Sequence, residues 1–454
     1  MRKLVLSAAA VSSVIFVAMG GCDDDAEEGC DIDAQTGCEE GFVCEEVDGA
    51  EPACFTPVFI EGMVFDLQTD APIEGARVVA RDPNDAPVSG VATTDLAGAY
   101  SLQVPAKRDA SGRPLERELT LRADAFAYQT FPTPPRVALP IDLADAEESD
   151  EGYTLATVNT DIGLLELPDS SNLGTVSGTV ATDQPGSPLV AVGGATGVAD
   201  RDGSFTVFNV PAGGQTASAY LVGVNFTTAS VDVMAGGITS GVLLTESSTA
   251  TATVSGSVQI VNGGDGKETS VILVLEDTFV EDAARGEAPP GLRAGGIEGA
   301  WAIEGVPDGK YVVLAAFEND RLVRDPDTSI GGTEIQHITV DGGSVTVEGF
   351  KVTGALAVIS PGAEGLEIAS ATPTFQWEDD SSEDEYQVRV FDAFGNLVWE
   401  TTGNFDQGGS EPATVDYGGD PLESGMIYQF RATSIKDGTP ISATEDLLGV
   451  FMVE

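Results

Sequence analysis

"TTDLAGAYSLQVP", residues 93–105, joins a tight turn to an alternating strand and closes on proline. The chain writes it again as "VADRDGSFTVFNVP" at 198–211 and, more loosely, as "GGIEGAWAIEGVP" at 295–307. In each copy an aromatic stands two residues after a glycine, as Tyr100, Phe205 and Trp301, with Leu102, Val207 and Ile303 two residues further on. A strand turns alternate side chains to one face, so these pairs share a face and the three aromatics are expected as core anchors. Pro105, Pro211 and Pro307 end the strand because proline cannot donate to a ladder. Gly98, Gly203 and Gly299 are expected to supply the positive φ of the turn.

Each copy opens with a strand of the form apolar-x-Gly-x-Val: "IEGMV" at 60–64, "VSGTV" at 176–180 and "VSGSV" at 254–258. The reading is one β-sandwich written three times. The runs "IEGMVFDLQTDAPIEGARVVARD" and "TTDLAGAYSLQVP" resemble the carboxypeptidase regulatory-like family, a transthyretin-like (prealbumin-like) sandwich of seven strands. Ala127-Tyr128 stands where that family usually has Gly-Tyr. The resemblance covers roughly residues 58–353 and implies a fold, and nearly nothing about function. From Ala355 the pattern changes, and "ATPTFQWEDD", "EYQVRVFD" and "MIYQFRATSI" resemble a fibronectin type III or other immunoglobulin-like sandwich, with Trp377 as core anchor and no inter-sheet cysteine bridge.

The N-terminus reads as targeting sequence. "MRK" gives a positive start, "LVLSAAAVSSVIFVAM" an apolar run of signal-peptide length, and "AMGGC" is followed at once by "DDDAEE". This resembles a bacterial lipoprotein signal, which implies a lipid on Cys22; Met19 stands where leucine is usual, and a plain secretory peptide is the alternative. Cys30, Cys38, Cys44 and Cys54 remain, all within 25 residues, and read as a two-disulfide knob. Three pairings are open, and the interleaved one, Cys30–Cys44 with Cys38–Cys54, is favoured. Zinc is the rival, lacking the C-x2-C pairs of a structural site. The expected division is a signal peptide at 1–21, an acidic tether at 22–29, the disulfide module at 30–57, regulatory-like domains at 58–168, 173–246 and 252–353, and the fibronectin-like domain at 355–454.

Charge and composition narrow the function. With 74 acidic and 21 basic residues the net charge is −53, a field that repels nucleic acid and anionic lipid. The chain has one histidine, His337, in the alternating run "EIQHITVDGG", so no zinc-peptidase ligand set can be assembled, and no G-x-S-x-G occurs. "DRDG" at 200–203 hints at calcium but lacks the further ligands of an EF-type loop and reads as a turn. "AKRDASGRPLERE" at 106–118, the one cationic run of the mature chain, reads as a charged surface hairpin or a recognition insertion, and "PIDLADAEESDEGYT" as an acidic, disordered insertion. The expectation is an all-β, extracytoplasmic string of tandem Greek-key sandwiches. It would be lipid-anchored at the outer membrane or cell surface rather than the inner membrane, and would bind, adhere or space without catalysis, cofactor or metal. Its partners would be the membrane, through the lipid, and an unknown protein or glycan. The alternative is a carbohydrate- or peptide-binding accessory subunit of a surface enzyme or uptake system.

Overall fold

A computed structural model describes residues 29–32, 35–83, 85–327, 329–380, 382–405 and 411–454. The signal peptide, Cys22 and the acidic tether up to residue 28 lie outside these. The described chain is almost entirely strand; its helices are two single 3-10 turns, Leu143–Asp145 and Glu276–Thr278. None is long and apolar enough to cross a membrane.

The three repeats share one strand order. In the second, Leu173–Ala181 lies between the antiparallel Ser204–Pro211 and the parallel Ile238–Thr249, and the facing sheet runs Ala195–Val198, Leu189–Val192, Gly213–Tyr220, Ala229–Val233. The third places Ala252–Ile260, Ala300–Val306 and Phe350–Gly354 in the equivalent positions, and the first uses Val58–Asp66, Ala99–Val104 and Ile162–Leu164. Tyr100, Phe205 and Trp301 are all buried, as are Leu102, Val207 and Ile303.

The repeated strand glycine now has a physical reason. Gly62, Gly178 and Gly256 are the cross-strand partners of Tyr100, Phe205 and Trp301. Each ring lies over the bare glycine backbone. A Cβ at Gly62 or Gly178 would press into the carbonyl oxygen of Thr160 or Val242, and one at Gly256 would meet Val347 and the Trp301 ring at 2.8 and 2.9 Å. The aromatic thus covers the glycine from the opposite strand, supplying the packing the glycine lacks.

The turn glycines follow the expectation in two copies of three. Gly98 and Gly203 have φ of +74° and +81°, and the turn is closed by Asp95 and Asp200 accepting from the glycine N–H. Gly299 corrects the reading: its φ is not positive, and Gly296 takes the left-handed conformation instead, at +64°. The third copy has no aspartate in its turn and joins Arg293–Ile297 to Ala300–Val306 through only Glu298 and Gly299, so no Asp-x-x-Gly loop needs closing.

At the N-terminus the structure pairs Cys30 with Cys44 and Cys38 with Cys54 around the hairpin Val43–Val47/Ala50–Phe55, so all four described cysteines are disulfide-bonded. "AKRDASGRPLERE" is not a free surface hairpin. Lys107–Arg108 adds to the knob as a parallel strand, and Arg108, fully buried, is ion-paired to buried Glu45, donates to Thr56 O at 2.7 Å and lies between the rings of Phe55 and Tyr153. The acidic insertion is also ordered: Glu147–Ser149 and Gly152–Leu155 form a hairpin that pairs with Val58–Ile60. The C-terminal sandwich packs a sheet of Val358–Ser360, Thr374–Trp377 and Ala413–Asp416 on a larger sheet centred on Ile427–Lys436, with Trp377 fully buried against Tyr386, Phe405 and Phe430.

The sandwiches do not run as a string. On the paired strands Arg77–Arg81 and Glu118–Asp124, Val78, Ala80, Leu121 and Ala123 face the core of the first sandwich. The opposite face, with Val79, Arg81, Arg122 and Asp124, is buried as well. Val79 packs with Leu189, Ala191 and Val198 of the second repeat and with the core of the third. Thr269–Leu275 of the third is buried along its whole length, and its outer face carries Ile272 and Val274 toward Leu447 of the fourth. A further cluster joins Leu165 of the first sandwich to Ala393, Ile427 and Val450 of the fourth.

Candidate functional site

Buried polar residues hold the joint. Arg122 donates to both oxygens of Asp124 at 2.9 and 3.0 Å, to Thr196 Oγ1 of the second sandwich at 3.0 Å, and to Glu287 of the third, which Thr196 also meets. Such a cluster is tolerated away from water because Arg122 is ion-paired and hydrogen-bonded to both carboxylates, and Thr196 donates a further bond to Glu287. Arg285 spans three sandwiches through carbonyls alone: Nη1 donates to Pro134 O at 2.6 Å, and Nη2 to Ala393 O at 3.2 Å. Burial pushes its pKa down to about 10. Asn209 fixes the first repeat to the second, donating to Ala125 O and Tyr128 O and accepting from Ala127 N at 2.7 Å.

Above this joint lies a cleft of about 600 Å³, walled by residues of all four sandwiches. That is within the size range of small-molecule sites. Its aromatic walls are Tyr128, Phe208, Phe317 and Phe394. Four arginines line it, Arg81, Arg136, Arg285 and Arg293, against two acids, Asp85 and Glu287. Four of its buried polar atoms have no hydrogen-bond partner in the protein: Arg81 Nε, Thr120 Oγ1, Gln129 Oε1 and Arg136 Nη1. Arg81 is ion-paired only through Nη1, at 3.4 Å from Asp85, and desolvation lowers its pKa. Arg136 lies over the Phe131 ring, 4.7 Å from its centroid, donates through Nη2 to Gly163 O at 2.7 Å, and is pushed by burial down to about 10. Leaving a buried donor unmade costs about 1–3 kcal/mol, so four in one cleft mark it out from the well-satisfied joint beneath it.

Comparison with known proteins finds no matching family model and no matching curated protein. Among solved structures, the Bacillus anthracis TIE protein overlaps 87% of this chain and 67% of its own at 11% identity and a TM-score of 0.16. BcpA, the major pilin subunit of Bacillus cereus, overlaps 64% of this chain and 99% of its own at 9% identity and 0.19. GBS52, the minor pilin of Streptococcus agalactiae, overlaps 41% and 100% at 13% identity and 0.20. Overlap at these values carries no functional meaning, and the fold rests on the strand pairings above.

The anchors, cysteines and candidate ligands named from the sequence lie away from the cleft, although Tyr128 and Pro211, noted there for the fold, line it. Tyr100, Phe205, Trp301 and Trp377 are core, and the four paired cysteines form the knob. His337 sits half-exposed on Gln336–Val340, with Nδ1 2.9 Å from the Glu276 carboxylate and its ring edge-on to Phe279, and no second imidazole exists to join it. In "DRDG" the carboxylates serve the turn: Asp200 Oδ1 accepts from Arg201 N and Val91 N, and Asp202 Oδ1 from Ser204 N. The one local signal for the cleft was arginine on the outward face of an alternating strand, which is also how a solvated face is written.

Proposed function

We propose that this chain is a non-catalytic, extracytoplasmic binding protein, held to the cell envelope by a lipid on Cys22, whose ligand seats in the cleft where the four sandwiches meet. The observation that carries the reading is that all four modules contribute walls to one cavity with aromatic sides and unpartnered buried polar atoms. In this reading the repeats are carboxypeptidase regulatory-like sandwiches and the last module is of the fibronectin type, on the motifs quoted above. Membrane attachment rests on "AMGGC", with the acidic stretch after it holding the sandwiches off an anionic surface. A spacer is the weaker reading, because modules folded back on one another give up reach.

The test is to probe glycan and peptide arrays with the chain from residue 23 onward, beside its Ala138→Trp variant. Ala138 lines the cleft from a loop outside the sandwich cores. Capture by the parent that is lost in Ala138→Trp supports the cleft. Capture unchanged in the variant, or blank arrays, refutes it.

A further inference from the structure

Resting on that reading of the cleft, we infer that its ligand is a saccharide carrying a carboxylate. Three features converge, and each excludes a simpler ligand.

The first is charge. The chain as a whole has 74 acidic residues to 21 basic, yet the cleft is lined by four arginines and two acids, a local excess of two positive charges. Random placement from this composition gives the opposite sign. A small anion is therefore attracted once inside the cleft, whereas a polyanion would be repelled by the outer surface before reaching it.

The second is the hydrogen-bond inventory. Arg81 and Thr120 are cross-strand partners, so their side chains leave the same face of the sheet as neighbours. Arg81 is 9% exposed, and its Nε donor is unpartnered while Nη1 is engaged by Asp85. Arg136, whose Nη1 is likewise buried and unpartnered, brings a second guanidinium to the lining of the same cleft. Guanidinium donors of this kind match a carboxylate. Gln129 Oε1, by contrast, is an acceptor, because its Nε2 already donates to Ala393 O at 2.8 Å. It demands a ligand O–H or N–H. An inorganic anion lacking a hydrogen to donate satisfies the arginines and leaves Gln129 unmet.

The third is the walls. Tyr128, Phe208 and Phe394 are half-buried rings facing a common space. Half-buried rings suit the C–H face of a sugar ring, whose hydroxyl edge would lie toward Thr120 and Gln129. A neutral sugar satisfies those two and leaves two cationic donors without charge.

The experiment is titration calorimetry on the chain from residue 23 onward in 0.15 M salt. Digalacturonate is compared with lactose, inorganic phosphate and the dipeptide Asp-Glu. Arg81→Gln and Arg136→Gln remove the charge while keeping an amide, and Arg321→Gln, whose side chain is 75% exposed, is the control. Melting curves establish that each variant folds, and either cleft variant alone suffices. The expected result is digalacturonate binding that weakens at least tenfold in Arg81→Gln and Arg136→Gln and is unchanged in Arg321→Gln. Lactose binding as tightly as digalacturonate, indifferent to both variants, overturns the carboxylate and leaves the binding reading standing. Phosphate or Asp-Glu binding more tightly overturns the saccharide. If none of the four binds, the inference is wrong, and the arrays decide separately whether the cleft takes another ligand.

Discussion

Arg122→Met tests whether the sandwiches are one cooperative body. Arg122 is 2% exposed, and its loss strips the ion-paired guanidinium from Asp124, itself 5% exposed, and from Glu287, leaving Arg77 and Arg81 as the more distant cations. Asp124 keeps one bond, from Thr130 Oγ1 at 2.8 Å, and Glu287 keeps Thr196. Breaking a buried pair from one side costs about 3–5 kcal/mol. With a urea slope of about 3 kcal/mol/M the midpoint falls by roughly 1–2 M. The readout separates the two architectures, because the chain's three tryptophans, Trp301, Trp377 and Trp399, all lie in the third and fourth sandwiches, while Arg122 is in the first. Tryptophan fluorescence should therefore report the whole shift. Arg122→Met/Asp124→Leu/Glu287→Gln, which removes all three charges, should recover most of it. A tryptophan midpoint that stays at the wild-type value while circular dichroism records an earlier loss of strand would refute the single body and restore independent beads.

Glu445 gives a pH dependence: burial raises its pKa from 4.5 to about 7. The folded chain then holds a proton the unfolded chain has released, so stability is highest below the unfolded pKa, falls as pH rises from about 4.5 to 7, and levels beyond. The span is about 3 kcal/mol; Glu445→Gln should raise the urea midpoint at pH 8, leave it unchanged at pH 4, and flatten the slope except for what Glu45, Glu318, Asp320 and Asp325, raised in the same direction, retain. Gly178→Ala should cost more than Gly256→Ala, since the first drives Cβ into a backbone carbonyl and the second into side chains that can shift; equal melting temperatures would contradict the ring-over-glycine account. Cys22→Ala should move the protein from the detergent phase to the aqueous phase, and retention of the variant in the membrane fraction would remove the lipid anchor.

The architecture of each module was legible because turn chemistry and strand alternation are local. Asp95 to Gly98 and Gly-x-Tyr100 specify their conformation within a few residues. The joint and cleft were not legible, for a reason visible in "RVVAR" at 77–81. Alternation divides that strand into Val78 and Ala80 against Arg77, Val79 and Arg81, and the second set is the same whether it meets water or another sandwich. The buried ion pairs have the same ambiguity: Arg122 and Asp124 look like a surface couple until Glu287, 165 positions away, arrives. Gly62, Gly178 and Gly256 were a missed signal, since a glycine kept in the middle of three strands asks for a ring opposite.

The interleaved cysteines have a mechanical consequence. A pull on the chain ahead of Cys30 passes straight to Cys44 through the first crosslink, so the intervening 14-residue separation cannot pay out. The hairpin from Cys44 to Cys54 could then peel open, but Cys38 is bonded to Cys54 and lies only six positions before Cys44. Six residues reach at most about 20–22 Å. Beyond that length the tension runs through covalent bonds to Cys54 and onto the first sandwich at Val58, with Arg108 and Glu45 taking the load before it. A nested pairing, Cys30 with Cys54 around Cys38 with Cys44, would hand force over at once, and a sequential one would clamp the hairpin at Cys44 and Cys54 so that it could not yield at all. The crossed arrangement acts as a damper with a fixed stroke, able to yield once under a jerk and then hold.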